Sequence, residues 1–198
     1  MLESSIENYI PIFIGYDFRE RAATNVLIDS IYKNSSCPVS FTPIILNQLN
    51  KEGLFYRERD PKQSTDFSFS RFLVPRLMNY KGWAIFMDCD MLCRGDIKKL
   101  WELRDERYAV MCVKHEHNPT KSKKFQGETQ SSYPMKNWSS LMLFNCSKCK
   151  SLTVDYVNNA TGLDLHRFKW LSGDNQIGGL PEEWNYLVSV QEEEISEN

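Results

Sequence analysis

Trp83-Ala84-Ile85-Phe86-Met87-Asp88-Cys89-Asp90 is an unbroken apolar run that ends in two carboxylates. Such a run reads as a strand buried on both faces, delivering Asp88 and Asp90 together at its C-terminal end. Successive side chains on extended backbone point to opposite sides, so the two acids can share one face while Cys89 turns away. At ~5.5 Å and an effective dielectric near 20 their repulsion is about 3 kcal/mol, which demands a proton, a cation or bulk water. A hard divalent ion, Mn²⁺ or Mg²⁺, suits all-oxygen ligands and keeps coordination positions for water and phosphate. An Asp-x-Asp triplet by itself is commonly a solvated turn. Its placement after a hydrophobic strand argues for a ligand site, because the carboxyl edge of an open α/β sheet is where ligands bind.

Around this strand the chain alternates strand and helix. Tyr9 to Gly15 is a short apolar run ending at Tyr16-Asp17, followed by Ala22, Ala23, Val26, Leu27 and Ile31 at helical spacing. Val39, Phe41, Ile44 and Ile45 mark a second strand, and the polar stretch from Asn47 to Thr65 reads as a loop. Phe69, Phe72, Leu73, Leu77 and Tyr80 mark one helical face, with Ser68 or Ser70 as caps and Pro75 as an early-turn residue or a kink. Gly95-Asp96 can cap a helix that carries Ile97, Leu100, Trp101 and Leu103 inward. Tyr108 to Val113 and Leu141 to Phe144 are further strands, separated by a polar loop over 114–136. The expected architecture is an α/β sandwich with a mostly parallel central sheet, a single domain over 1–198.

Bulk properties exclude several classes. With 198 residues, 41% of them hydrophobic, and a formal net charge of -2, nothing marks a nucleic-acid or membrane-surface binder. No apolar stretch approaches a transmembrane span, and the first residues lack a secretory signal pattern, so a cytoplasmic protein with reduced cysteines is expected. Cys146 and Cys149 have a zinc-like spacing but no second pair to complete a site. The acidic stretch Gln191 to Glu194 reads as a solvated tail.

Asp17 and Asp88 both follow strands and can reach one crevice. Asp17 has a second reading as the cap of the helix behind it. Arg71, near the proposed metal edge, suits phosphate oxygens or a surface ion pair, and Arg76 is the weaker candidate.

Gly15-Tyr16-Asp17, then Ser68 to Pro75, then Ala84 to Leu92 with its Asp-Cys-Asp, resemble in order and spacing the glycosyltransferases of family 8, the galactosyltransferase and glycogenin group. The resemblance runs from Ile12 to about Val188. It implies a GT-A, Rossmann-like α/β/α sandwich, a nucleotide-sugar donor, a hydroxyl or glycan acceptor, Mn²⁺ or Mg²⁺, and transfer with retention. Carried over by residue, Gly15, Tyr16 and Asp17 meet the nucleotide, Arg71 the donor, and Asp88 and Asp90 the metal. Asp174 matches an acid that holds the donor sugar, with Asn175 or Gln176 as a stabilising amide. Trp184-Asn185-Tyr186 resembles the segment that follows it.

There are departures. Trp138 and Ser140 stand where the family has Asn and Gly, so that Asn137 lies one place early for its sugar contact. No histidine follows His166 to supply the family's third metal ligand, so either the chain is a shortened version lacking that C-terminal segment, with weak or absent turnover, or His115, His117 or an acid fills the place. The matching rival readings are a haloacid-dehalogenase-like phosphatase, disfavoured because Leu92 stands where that pattern wants Thr or Val, and a non-catalytic nucleotide-sugar or glycan-binding protein derived from a transferase.

Overall fold

A computed structural model describes residues 9–60, 63–115 and 137–188. It is a mixed α/β fold around a six-stranded sheet of order β2-β1-β3-β5-β4-β6. The strands are β1 (Ile10–Gly15), β2 (Val39–Ile44), β3 (Trp83–Met87), β4 (Val110–Val113), β5 (Leu141–Asn145) and β6 (Ile177–Leu180). β1 pairs parallel with β2 and β3, and β4 parallel with β6, while β5 runs antiparallel between β3 and β4. Five strands therefore share one direction, as the alternating pattern requires. Every residue of β3, β4 and β5 is buried, which is why these segments read as continuous apolar runs. A fully buried Ile or Phe contributes roughly 1.5–3 kcal/mol, so this centre outweighs any single polar contact at the sheet's edges.

The helices are α1 (Arg21–Asn34), α2 (Leu46–Lys51), α3 (Val74–Leu77), α4 (Ile97–Glu102), α5 (Val154–Asn159) and α6 (Gly162–His166). α4 is capped by Asp96, whose side chain accepts from the Lys98 amide, and it buries Ile97 and Leu100. Leu103 does not turn inward as expected. It is the C-terminal cap residue and is 38% exposed, beyond the last turn that has a face to bury. The polar stretch after Asn47 is not all loop either, since α2 forms there and buries Leu49.

The single helix expected over 69–80 is two short pieces. A 3₁₀ turn, Ser70–Leu73, runs into α3, and Asn79 and Tyr80 then adopt left-handed backbone. Neither Ser68 nor Ser70 caps it. β6 has no alternating or apolar signature because Gly178 and Gly179 fill its middle, and a Cβ on Gly178 would lie 2.6 Å from the Tyr108 ring. All six cysteines are free, and the Cys146 and Cys149 thiols donate to buried backbone carbonyls. Among the described residues no helix is long and apolar enough to cross a membrane.

Candidate active site

The five like-directed strands bring their C-terminal ends to one edge. The Asp88 amide donates to the Ser140 carbonyl (2.9 Å), extending the β3–β5 ladder by one step, so the acid pair leaves the sheet at a fixed point. Arg71, only 5% exposed, reaches it from the 3₁₀ turn. Its Nη1 lies 2.8 Å from Asp88 Oδ1 and donates to the Ser139 carbonyl at 2.8 Å, while Nε donates to the Phe67 carbonyl at 3.4 Å. The guanidinium also stacks 5.1 Å from the Phe67 and Phe86 ring centres. A planar, permanently charged fork is the group that can satisfy two carbonyls, a carboxylate and two rings together.

The two acids have unlike surroundings. Asp88 is half-buried and Asp90 is exposed. Burial pushes the Asp88 carboxyl up to about 6, against the pull of Arg71 and with the help of Asp90's charge. Asp88 Oδ1 is shut off from solvent and has no hydrogen-bond donor, the Arg71 contact being an ion pair off the bonding direction. A half-buried carboxylate beside a second, open one fits a hard divalent ion. It fits as a two-ligand arrangement, because no group of three or more His, Cys, Asp or Glu gathers among the described residues. His115, offered above as a third ligand, has an unpartnered Nε2, but it does not join the acid pair. His117 lies outside the described residues.

Asp17 is at this edge with its oxygens turned inward. Oδ1 accepts from the Arg19 amide (2.9 Å) and Nε (3.0 Å), and Oδ2 from Arg19 Nη2 (2.6 Å) and the Asp66 amide (3.1 Å). The Arg19 contact, followed by the two amides, holds its carboxyl well below the usual carboxylate range. With all its acceptor sites taken, Asp17 caps the turn at Phe18–Glu20 and ties down the 64–66 segment. Of the two readings offered for it above, the structure shows the cap. Gly15 serves packing, because a Cβ there would meet the Phe67 ring at 2.3 Å. Tyr16 is half-buried beside them.

Asn137 adopts left-handed backbone (φ 65°), and its carbonyl accepts from the Ser140 amide and from Asn185 Nδ2. It is a turn former that aligns Ser139 and Ser140. Buried Asn185, in the segment singled out above, is the anchor on the far side.

Asp174, Asn175 and Gln176 lie away from the acid pair. They form a 3₁₀ turn just before β6, and the Gln176 carbonyl accepts from the Ala109 amide at the start of β4. The registers align Ile177 with Val110, Phe144 and Ala84, so this turn sits at the N-terminal edge, opposite Asp88. At roughly 3.3 Å per residue and 4.8 Å per strand, about five residues and three strands separate Gln176 from Asp88, on the order of 20 Å. The structure does not bring these residues to the acid pair. Asp174→Ala and Asn175→Ala are accordingly expected to change donor turnover by less than about twofold, where removal of a reacting group costs orders of magnitude. A large loss in steady-state assays would restore the earlier assignment.

The sequence reading missed Ser139 and His166. His166 Nδ1 lies 2.8 Å from Ser139 Oγ, and burial pushes its pKa down to about 3, leaving the ring neutral. Neither residue belongs to a local motif, and 27 positions separate them. Beside them a cleft of about 360 Å³ is lined by Ser64, Ser68, Phe69, Arg71, Leu163 and His166 among others.

Comparison with known proteins places this edge in context. The glycosyl transferase family 8 model matches residues 44–150, which contain Arg71, Asp88 and Asp90. Protein CDI of Arabidopsis thaliana is 51% identical over 186 residues, covering 93% of this chain and 71% of that protein. The chain belongs to glycosyl transferase family 8. Its fold is that of GT-A glycosyltransferases. The glycosyltransferase GlyE of Streptococcus pneumoniae TIGR4 superposes with a TM-score of 0.59 at 12% identity, over 96% of this chain and 49% of GlyE. Galactosyltransferase LgtC, solved with donor and acceptor sugar analogs, gives 0.51 at 11% identity, over 87% of this chain and 74% of LgtC. The chain thus spans about half the length of GlyE.

Proposed function

We propose that this chain transfers a hexosyl group from a nucleotide-sugar donor to a hydroxyl acceptor, assisted by Mn²⁺ or Mg²⁺. The observation that carries this reading is the Asp88 carboxylate at the end of β3, half-buried, with Arg71 at 2.8 Å and Asp90 open beside it. Breaking a sugar–phosphate bond releases a diphosphate, and the groups that stabilise it must be in place before charge develops. Asp88 and Asp90 would hold the ion, which supplies Lewis-acid stabilisation of the leaving diphosphate. Arg71 is held by the Ser139 and Phe67 carbonyls, so its charge needs no reorganisation when the leaving group forms. Tyr16, beyond β1, is the remaining candidate for the nucleoside end. Retention follows from family membership as part of the proposal; the amides of Asn175 and Gln176 lie too far away to serve it.

A second reading is favoured by one observation. Among the described residues no third ligand joins Asp88 and Asp90 in a group that could hold a metal, and the charge of Asp88 is already paired, which suits a protein that binds the donor without turning it over. Hydrolysis of UDP-glucose, UDP-galactose and GDP-mannose with and without Mn²⁺ separates the two. Metal-dependent release of free sugar, lowered about 100-fold or more by Asp90→Ala, supports the transferase, since removal of such electrostatic stabilisation typically costs that much. Metal-dependent thermal stabilisation by a donor with no sugar release supports the binding protein.

A further inference from the structure

We propose that His166 is a positioning residue: through the Ser139 hydroxyl it fixes the peptide whose carbonyl holds Arg71 against Asp88. The geometry stands on its own, and its consequence for turnover rests on the transferase reading above.

The Ser139 carbonyl is the part of the Arg71 socket that the sheet does not fix. It accepts from Nη1 at 2.8 Å, on the same nitrogen that meets Asp88. Ser140, one residue on, is tied to the sheet, since its carbonyl accepts from the Asp88 amide. Ser139 lies in the turn before β5, ahead of the first ladder pair at Leu141, so strand pairing does not set the direction of its carbonyl. Such a peptide keeps one orientation only where other hydrogen bonds hold it. Its own side chain supplies one, with Oγ 2.8 Å from His166 Nδ1.

His166 is itself firmly placed. It ends α6, and its ring meets Phe72 edge-on at 5.2 Å between centres and Phe69 at 6.2 Å. Phe72 follows Arg71 in the chain, so the ring packs on the turn that carries the arginine while it bonds the turn that receives it. Burial first, then the positive charge of Arg71, keep the imidazole neutral, against the opposing pull of the Ser68 backbone. A neutral ring nitrogen can take a hydroxyl hydrogen close to a guanidinium, where an ammonium group would repel it. A group that touches the substrate is held for catalysis by neighbours of this kind, whose own positions are locked by packing.

A serine on a histidine also raises the question of a nucleophile and its base. Ser139 is 5% exposed, and the cleft lining includes His166 but not Ser139. An imidazole whose pKa is pushed down to about 3 is a weak base at neutral pH. The pair is built to hold a peptide, not to attack a substrate.

The test uses the full chain with His166→Leu, which keeps apolar packing without a ring nitrogen, His166→Asn, which keeps an acceptor near the place of Nδ1, and Ser139→Ala. Hydrogen exchange of the Arg71 Nε–H, followed by nitrogen NMR without ligand, reads how firmly the guanidinium is held. His166→Leu and Ser139→Ala should each speed it about tenfold or more, and the double variant no more than either single, because both remove one bond. His166→Asn should stay within about threefold of the unaltered chain. With Mn²⁺ and UDP-glucose, UDP-galactose or GDP-mannose, the same two variants should lower kcat for donor hydrolysis about tenfold and change KM less than about threefold, since a loosened arginine fails where charge develops. Exchange unchanged in His166→Leu, effects of the two substitutions that multiply, no rescue by His166→Asn, or faster exchange with kcat unchanged overturns the proposal. A fall in kcat with exchange unchanged overturns it as well, and means that the ring meets the substrate directly. Ser139→Ala, the smaller change, keeps the test decisive if His166→Leu does not fold. If the unaltered chain hydrolyses no donor, the exchange results still decide the positioning role and only the transferase reading falls.

Discussion

Arg71→Met is expected to lower the unfolding free energy by about 3–5 kcal/mol, because removing one member of a buried ion pair leaves the other uncompensated. The side chains of Arg71 and Asp88 are 6% and 17% exposed, so water compensates little of the loss. Met keeps the length and apolar stem, and what disappears is the charge and the donors to the Ser139 and Phe67 carbonyls. Against a typical total of 5–15 kcal/mol, this would leave a protein close to its stability threshold. Urea unfolding followed by tryptophan fluorescence measures it. A second substitution decides the cause: Arg71→Met with Asp88→Leu should recover much of the stability, since replacing a buried pair by apolar groups is often neutral. The double variant should still lack donor turnover. A loss under about 1 kcal/mol for Arg71→Met alone would show that solvent screens the pair as it does surface pairs.

Gly15→Ala carries the second large effect, about 1–3 kcal/mol from overpacking. Its new Cβ would sit 2.3 Å from Phe67 Cδ2, well inside contact distance, and Phe67 is 2% exposed with no solvent to move into. The ring is held against Phe86, 6.5 Å between centres, and under the Arg71 guanidinium at 5.1 Å. Displacing it therefore disturbs Arg71, and donor affinity should fall with stability. Gly15 has no left-handed backbone, so the cost is steric alone. Phe67→Leu on the Gly15→Ala background should return part of the stability, giving a coupling of about 1 kcal/mol or more in a double-mutant cycle. Strict additivity would refute the steric account.

How much was legible depended on sequence distance. The β3 run announced both its burial and the acids at its end, because five consecutive apolar residues and a following Asp-x-Asp are local information. Asp96 as a helix cap was legible for the same reason. Asp17 was read two ways, and the choice depended on Arg19 and on the amide of Asp66, 49 positions away. β6 escaped notice because glycines at its centre carry no hydrophobic period. For the same reason the edge of the sheet at which Asp174 to Gln176 stand was not legible. Without knowing that a strand begins at Ile177 and runs parallel to β4, nothing in the motif says which edge of the sheet precedes it.

The amino-acid order alone determined the alternation of strands and helices, the mostly parallel sheet, and the two acids at the end of its most buried strand. Those features follow from periodicity and from the fixed geometry of extended backbone. Only the tertiary structure decided which charges meet. It set Arg71 on Asp88 and turned Asp17 inward; it joined His166 to Ser139 and moved Asp174 to the opposite edge. Pairings of this kind depend on sheet order and strand direction, which neighbouring residues along the chain do not encode.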